Sequence, residues 1–163
     1  MDTGWKSPTS YSDSSGTFFT DQWIVEGSGY IIFVGSSATQ TLSGYSGTIN
    51  GIVTGAEVFL DNTYGTINGS ATFDIQISNN GGSTFSSAIN TGTLGTTQTN
   101  REFLGSSTNL WGLDWYGFNN LSSIKIKGKN GTGQSVSSRH AYVKIHYRDV
   151  ESSLKLKGTK MHL

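Results

Sequence analysis

The chain has no cysteine, a single proline (Pro8) and only 13% charged residues. Without thiols, neither disulfides nor thiolate metal sites can hold the fold. No apolar run approaches the ~20 residues that cross a bilayer as a helix, so no membrane partner is expected. The N-terminus, MDTGWKSPTS, lacks the charged-then-apolar pattern of a secretory signal. Neither charge sign dominates, with 11 basic and 11 acidic residues over 163, which argues against a strongly basic nucleic-acid binder.

What is abundant is turn chemistry. Gly (22), Ser (24), Thr (20) and Asn (11) together make 77 of the 163 residues. Aromatic residues are also frequent, at 12%, and recur with Ile and Val in short runs between the polar clusters. That distribution excludes a disordered chain and fits short strands joined by turns. The charge is unevenly placed along the sequence. Residues 1–124 hold two basic and nine acidic groups, a balance of −7, and residues 125–163 hold nine basic and two acidic, a balance of +7. Either the two regions neutralise each other within the fold, or a basic C-terminal arm meets an acidic surface elsewhere.

Phe73, Ile75 and Ile77 alternate with Asp74, Gln76 and Ser78 in the stretch GSATFDIQISNNGGSTF (69–85), the period of a half-buried strand. Asn79-Asn80-Gly81-Gly82 follows, residues that accept positive φ, and predicts a tight turn. Elsewhere the pattern predicts strands at 18–25, 30–34, 52–61, 101–105, 124–127 and 141–147, with residues 1–16 as an irregular lead-in. Trp5 is expected to plug one end of the core. The run YIIFV (30–34) is apolar on both parities, so both of its faces should be covered. Within 52–61, Ile52, Thr54, Ala56, Val58 and Leu60 are expected inward. Phe59 then stands on the polar side and is a candidate contact residue. NLWGLDWYGF (109–118) reads as a compact turn closing one end of the core. In the last strand Ala141, Val143, Ile145 and Tyr147 are expected inward, with His140, Tyr142, Lys144, His146 and Arg148 outward. The chain is therefore all-β, a single antiparallel β-sandwich; strand count leaves jelly-roll and immunoglobulin-like connectivity both open.

Catalytic and cofactor chemistry finds no foothold. His140 and His146 are six residues apart in one strand, roughly 20 Å, too far to share a metal. No nucleophile elbow or phosphate-cradling glycine pattern is present. No spacing singles out the carboxyl pair that a glycosidase needs. No enzyme and no cofactor is expected. Lys125, Lys127, Lys129, Lys144 and Arg148 could form a basic sheet face with Tyr142 interleaved; given the neutral net charge, specific nucleic-acid binding is not expected. Ser78 to Phe85, SNNGGSTF, resembles the Asp-box turn, S-x-D-x-G-x-T-W, of sialidase propellers. Asn80 replaces its Asp and Phe85 its Trp, and it occurs once, whereas propellers repeat it. It reads as a folding device.

The succession INGIVTGAEV (49–58), FDIQISNNGGSTF (73–85), FLGSSTNLWGLDW (103–115) and AYVKIHY (141–147), with GWKSP (4–8), resembles a β-sandwich domain of tailed-bacteriophage virion proteins. That resemblance implies a jelly-roll-like sandwich over residues 1–149 and an extended basic arm over 150–163. It also implies a non-enzymatic virion structural protein, made in the host cytoplasm. The expected role is capsid decoration: a homo-oligomer, a trimer, cementing the major capsid protein or other virion proteins. The expected contact residues are Ile31, Phe33 and Phe59 on the sandwich, and Lys155, Leu156, Lys157 and Lys160 on the arm. The alternatives are a head–tail connector component or a tail or fibre host-recognition module that binds carbohydrate, with Tyr64, Trp115 or Tyr116 stacking on sugar rings.

Overall fold

The structure, a computed structural model, describes residues 1–19, 31–66, 70–97, 101–132 and 134–150. The expected contact residues Lys155, Leu156, Lys157 and Lys160 lie outside that set. Among the described residues ten strands form two antiparallel sheets: β1 (Ser10–Phe19), β2 (Ile31–Ser43), β3 (Gly51–Asp61), β4 (Tyr64–Gly65), β5 (Phe73–Ser78), β6 (Ile89–Asn90), β7 (Arg101–Ser106), β8 (Lys125–Asn130), β9 (Val136–Ser138) and β10 (His140–Asp149). The larger sheet runs β4-β9-β2-β8-β5-β6, with β1 along the other edge of β2. The smaller sheet is β10-β3-β7. Phe33, Leu42, Phe73, Ile75, Ile77 and Ile126 from the larger sheet are buried together with Val58, Leu60, Leu104, Ala141, Val143 and Ile145 from the smaller. The chain is thus an all-β, jelly-roll-like sandwich.

The turn after β5 forms as its residues demand. Gly81 and Gly82 take φ of 72° and 90°. Asn80 Oδ1 accepts from the Thr84 backbone and from Ser78 Oγ, at 3.0 and 2.9 Å, while its Nδ2 donates to Thr84 Oγ1 at 2.7 Å. Lys127 Nζ lies 4.0 Å from the centre of the Phe85 ring. The side chain that replaces the acid of the Asp-box therefore ties the turn with three bonds, as a structural role requires.

Several strand expectations need correction. The lead-in is not irregular throughout, because β1 begins at Ser10 and pairs Tyr11 with Leu42. Most of the expected 18–25 strand lies outside the described residues. Strand β2 continues through the Ser- and Thr-rich stretch to Ser43, since β1 and β8 pair with its two edges there. Phe33 is fully buried, its ring 4.7 Å from that of Phe73. It fills the core and offers nothing to a partner.

In β3 the inward parity changes. Ala56, Val58 and Leu60 point inward, but Val53 is buried and Ile52 exposed. The cause is a bulge: His146 pairs with Gly55 and Tyr147 with Val53, which leaves Thr54 without a directly opposed residue. One extra residue on β3 shifts every side chain before it to the other face.

Candidate functional site

The small sheet turns one face to the core, and the composition of its other face follows from register. Three rows cross it. His140, Asp61 and Arg101 stand in the first; Tyr142, Phe59 and Phe103 in the second; Lys144, Glu57 and Gly105 in the third. A row of aromatic rings thus lies between two rows that carry charge. Phe59 stacks on Phe103 with centroids 4.6 Å apart and planes 13° apart, and on Tyr142 at 5.6 Å and 18°. Rings on neighbouring strands, which lie ~4.8 Å apart, stand upright like plates in a rack. The central ring is covered on both faces. Phe103, on the edge strand, keeps its side chain 59% exposed.

The N-terminal segment adds a second layer. Lys6 N–H donates to the Val143 carbonyl at 2.8 Å, Thr3 N–H to that of Ile145 at 3.0 Å, and the Met1 ammonium to that of Tyr147 at 2.9 Å. Residues 1–6 therefore run as a strap along the free edge of β10. Asp2 Oδ1 accepts from Gly4 N–H at 2.8 Å, a bond that holds its carboxyl below the usual carboxylate range. The strap delivers Trp5, 37% exposed, onto the aromatic row at 5.6 Å from Phe59 and 6.1 Å from Phe103. Lys144 Nζ lies 4.4 Å from the centre of its ring, and the same ammonium is 3.3 Å from Glu57. Glu57 also meets His146 Nε2 at 2.5 Å. Trp5 is held over the sheet by a cation–π contact and does not plug the core.

Trp5, Phe59 and Tyr142 form the walls of a hollow of about 270 Å³, with Asp61 and Arg101 at its rim. Arg101 Nε and Asp61 Oδ1 are 3.7 Å apart, an ion pair beyond hydrogen-bond distance whose Arg101 side chain is 70% exposed. The volume falls at the small end of ligand pockets, roughly 300 Å³ and up. It suits a single ring with the rest of its molecule outside. Apolar ring surface beside donors and acceptors is the chemistry that holds a ring carrying C–H groups on one face and hydroxyls on its edge.

Of the residues expected to make contacts, Phe59 stands at the centre of this face. Phe33 is in the core. Ile31 pairs with Ser138 of β9. Of the three aromatics considered for sugar stacking, Trp115 is 6% exposed and Tyr64 half-buried, while Tyr116 projects elsewhere at 97% exposure. The expected basic face divides between sheets, with Lys125, Lys127 and Lys129 on β8 and Lys144 and Arg148 on β10. Among the described residues no cluster of His, Asp or Glu suits a metal ion.

Trp5, Phe103, Asp61 and Arg101 escaped the sequence reading. One signal was available: Phe59, Phe103 and Tyr142 each sit among charged neighbours at the polar parity of their strands. Three aromatics misplaced in the same way, on strands that pair, mark a face.

No family model matches this chain, and no curated protein matches it significantly. Solved structures do. One is the Clostridium thermocellum N-terminal endo-1,4-β-D-xylanase 10B, CBM22-1–GH10 modules complexed with xylohexaose, with a TM-score of 0.54 and 8% identity over 89% of this chain. The chain spans 28% of that one. The xylan-binding module CBM15 matches with a TM-score of 0.46 and 12% identity, over 90% of this chain and 92% of the module. The CBM22-1 xylan-binding domain of Paenibacillus barcinonensis Xyn10C matches at 0.39 and 11%, over 89% and 87%. At such identities the likeness of the first is one of fold, a β-sandwich.

Proposed function

We propose that the chain is a non-catalytic carbohydrate-binding β-sandwich whose ligand lies on the aromatic row of the small sheet. The observation that carries this reading is the hollow formed by Trp5, Phe59 and Tyr142 with the Asp61–Arg101 pair on its rim. Its apolar ring surface can meet the C–H groups of a sugar, and the charged groups on its rim can meet the hydroxyls. The sandwich likeness to a chain solved with xylohexaose is in keeping with it. Affinity electrophoresis of the full chain through gels containing xylan, galactan, cellulose derivatives or bacterial exopolysaccharide tests it directly. At least one polysaccharide should retard the protein saturably. Trp5→Ala and Phe103→Ala should each weaken that retardation by about two- to tenfold, the ~0.5–1.5 kcal/mol that one aromatic contact contributes. Retardation by none of these polymers would overturn the reading.

A second reading makes the same face a protein contact, as the virion resemblance implies. The exposure of Phe103 on an edge strand beside Phe59 favours it. The chain would then be a homotrimer cementing capsid subunits, with Phe59 at the joint and Lys155, Leu156, Lys157 and Lys160 reaching a neighbour. Sedimentation separates the two: a wild-type oligomer dissolved by Phe103→Ser supports a protein contact, and a monomer that is retarded by glycan supports sugar binding.

A further inference from the structure

A second hollow, of about 290 Å³, lies at the far end of the β3–β7 pair. Arg101 opens β7 beside the aromatic row, whereas the loop that lines this hollow follows the end of β7 at Ser106. Asn79, Asp114, Tyr116, Asn119, Asn120 and Ser123 surround it.

The loop is stiff. Trp111, Gly112 and Gly117 hold positive φ of 57°, 68° and 70°. Trp111 and Trp115 are buried, and their indole N–H groups donate to the Ala56 and Leu110 carbonyls, each at 2.9 Å. Leu113 N–H reaches the Leu110 carbonyl at 3.0 Å, and Phe118 N–H that of Trp115 at 3.1 Å. The Asn79 side-chain amide crosses from the turn after β5 to the Asp114 carbonyl at 2.5 Å. Asp114 Oδ1 fixes the Tyr116 N–H at 2.9 Å. The same loop that buries Trp111 and Trp115 leaves Tyr116 97% exposed beside the hollow.

The lining is polar apart from the rings of Tyr116 and Phe118. Asn79 keeps its Oδ1 as an acceptor, and Asn120, whose Oδ1 accepts from Ser122 N–H at 2.9 Å, keeps its amide as a donor. Among the described residues neither Lys, Arg nor His lines the hollow, and Asp114 adds negative charge. An anionic ligand is disfavoured, and an apolar one would strand the amides. Neutral donor–acceptor pairs beside one exposed ring suit a neutral, hydroxyl-rich ligand.

We infer that this hollow is a second saccharide site, for a neutral sugar, in which Tyr116 stacks on the ring and Asn79, Asn119 and Asn120 bind its hydroxyls. It is independent of the aromatic row, and a chain with both sites would grip one polysaccharide at two points or join two. The test weakens the first site. In full-length protein carrying Phe103→Ala, backbone amide spectra are titrated with xylohexaose, β-1,4-galactotriose and N-acetylchitotriose. One or more should shift the amides of Tyr116, Gly117, Asn119 and Asn120 saturably. Tyr116→Ala should weaken the response at least fivefold, and Tyr116→Phe should restore it to within about twofold. Both variants should melt with wild type, since the ring is exposed. Absence of any shift at these amides, or an equal response in Tyr116→Ala, overturns the inference. A failure of the aromatic row alone would instead appear as wild-type binding that Tyr116→Ala abolishes and Phe103→Ala does not.

Discussion

Two groups of aromatic residues face opposite fates. Trp111 and Trp115 lie four residues apart on one loop and are 5% and 6% exposed, whereas Trp5, Phe59, Phe103 and Tyr142 come from four distant places and share a solvent-facing patch. Trp111 and Trp115, with Leu113 between them, collapse onto the nearest core because little chain must be ordered to bury them. The scattered set is assembled by strand register. Phe59, Phe103 and Tyr142 each stand at the outward parity of their own strand, so the sheet cannot bury any of them without a slip that would expose Val58, Leu104 and Val143; the strap adds Trp5. The first group stabilises the fold. The second tolerates exposure.

That contrast can be broken at either end. The largest effect belongs to Trp111→Ala, which removes a buried indole and its bond to the Ala56 carbonyl. A cost of about 3–5 kcal/mol is expected, a fall in melting temperature of roughly 10 °C or more by calorimetry. A loss below 1 kcal/mol would mean that the loop does not close the core. Phe103→Ala should cost only about 0.5–1 kcal/mol, the worth of one cross-strand aromatic contact. Its melting temperature should fall by a few degrees at most, even where ligand binding is weakened. A larger fall would make the row structural.

The smallest effect concerns the strap that carries Trp5. Asp2 has a lowered folded pKa because its carboxylate accepts the Gly4 N–H. Its contribution is therefore present above the ordinary carboxylate value of 3.8 and lost as pH falls through the depressed folded value. The Gly4 amide resonance should move only below about pH 4 and become insensitive to pH in Asp2→Asn. Movement at neutral pH would assign the strap's hold to another group.

The β5 strand and its turn were fully legible, because alternation and an Asn-Gly pair are local codes. The parity of Val53 was not. It depends on a bulge opposite His146, on a strand some ninety residues away. Phe33 read as a two-faced strand residue because apolar parity on both sides cannot distinguish a neighbouring subunit from the protein's own second layer. Trp5 was hidden for another reason: its place depends on Met1, Thr3 and Lys6 bonding along β10, far away in sequence.

Composition and periodicity by themselves determined an all-β sandwich rich in turns, since inward and outward positions alternate within each strand whatever lies beside it. They also dictated the tie that Asn80 makes across its turn. Only the tertiary structure decided which outward residues become neighbours. Register between strands distant in sequence set Tyr142, Phe59 and Phe103 in one row, and the strap laid Trp5 across them. Single-strand patterns carry no information about that pairing, because each strand presents the same faces to any partner.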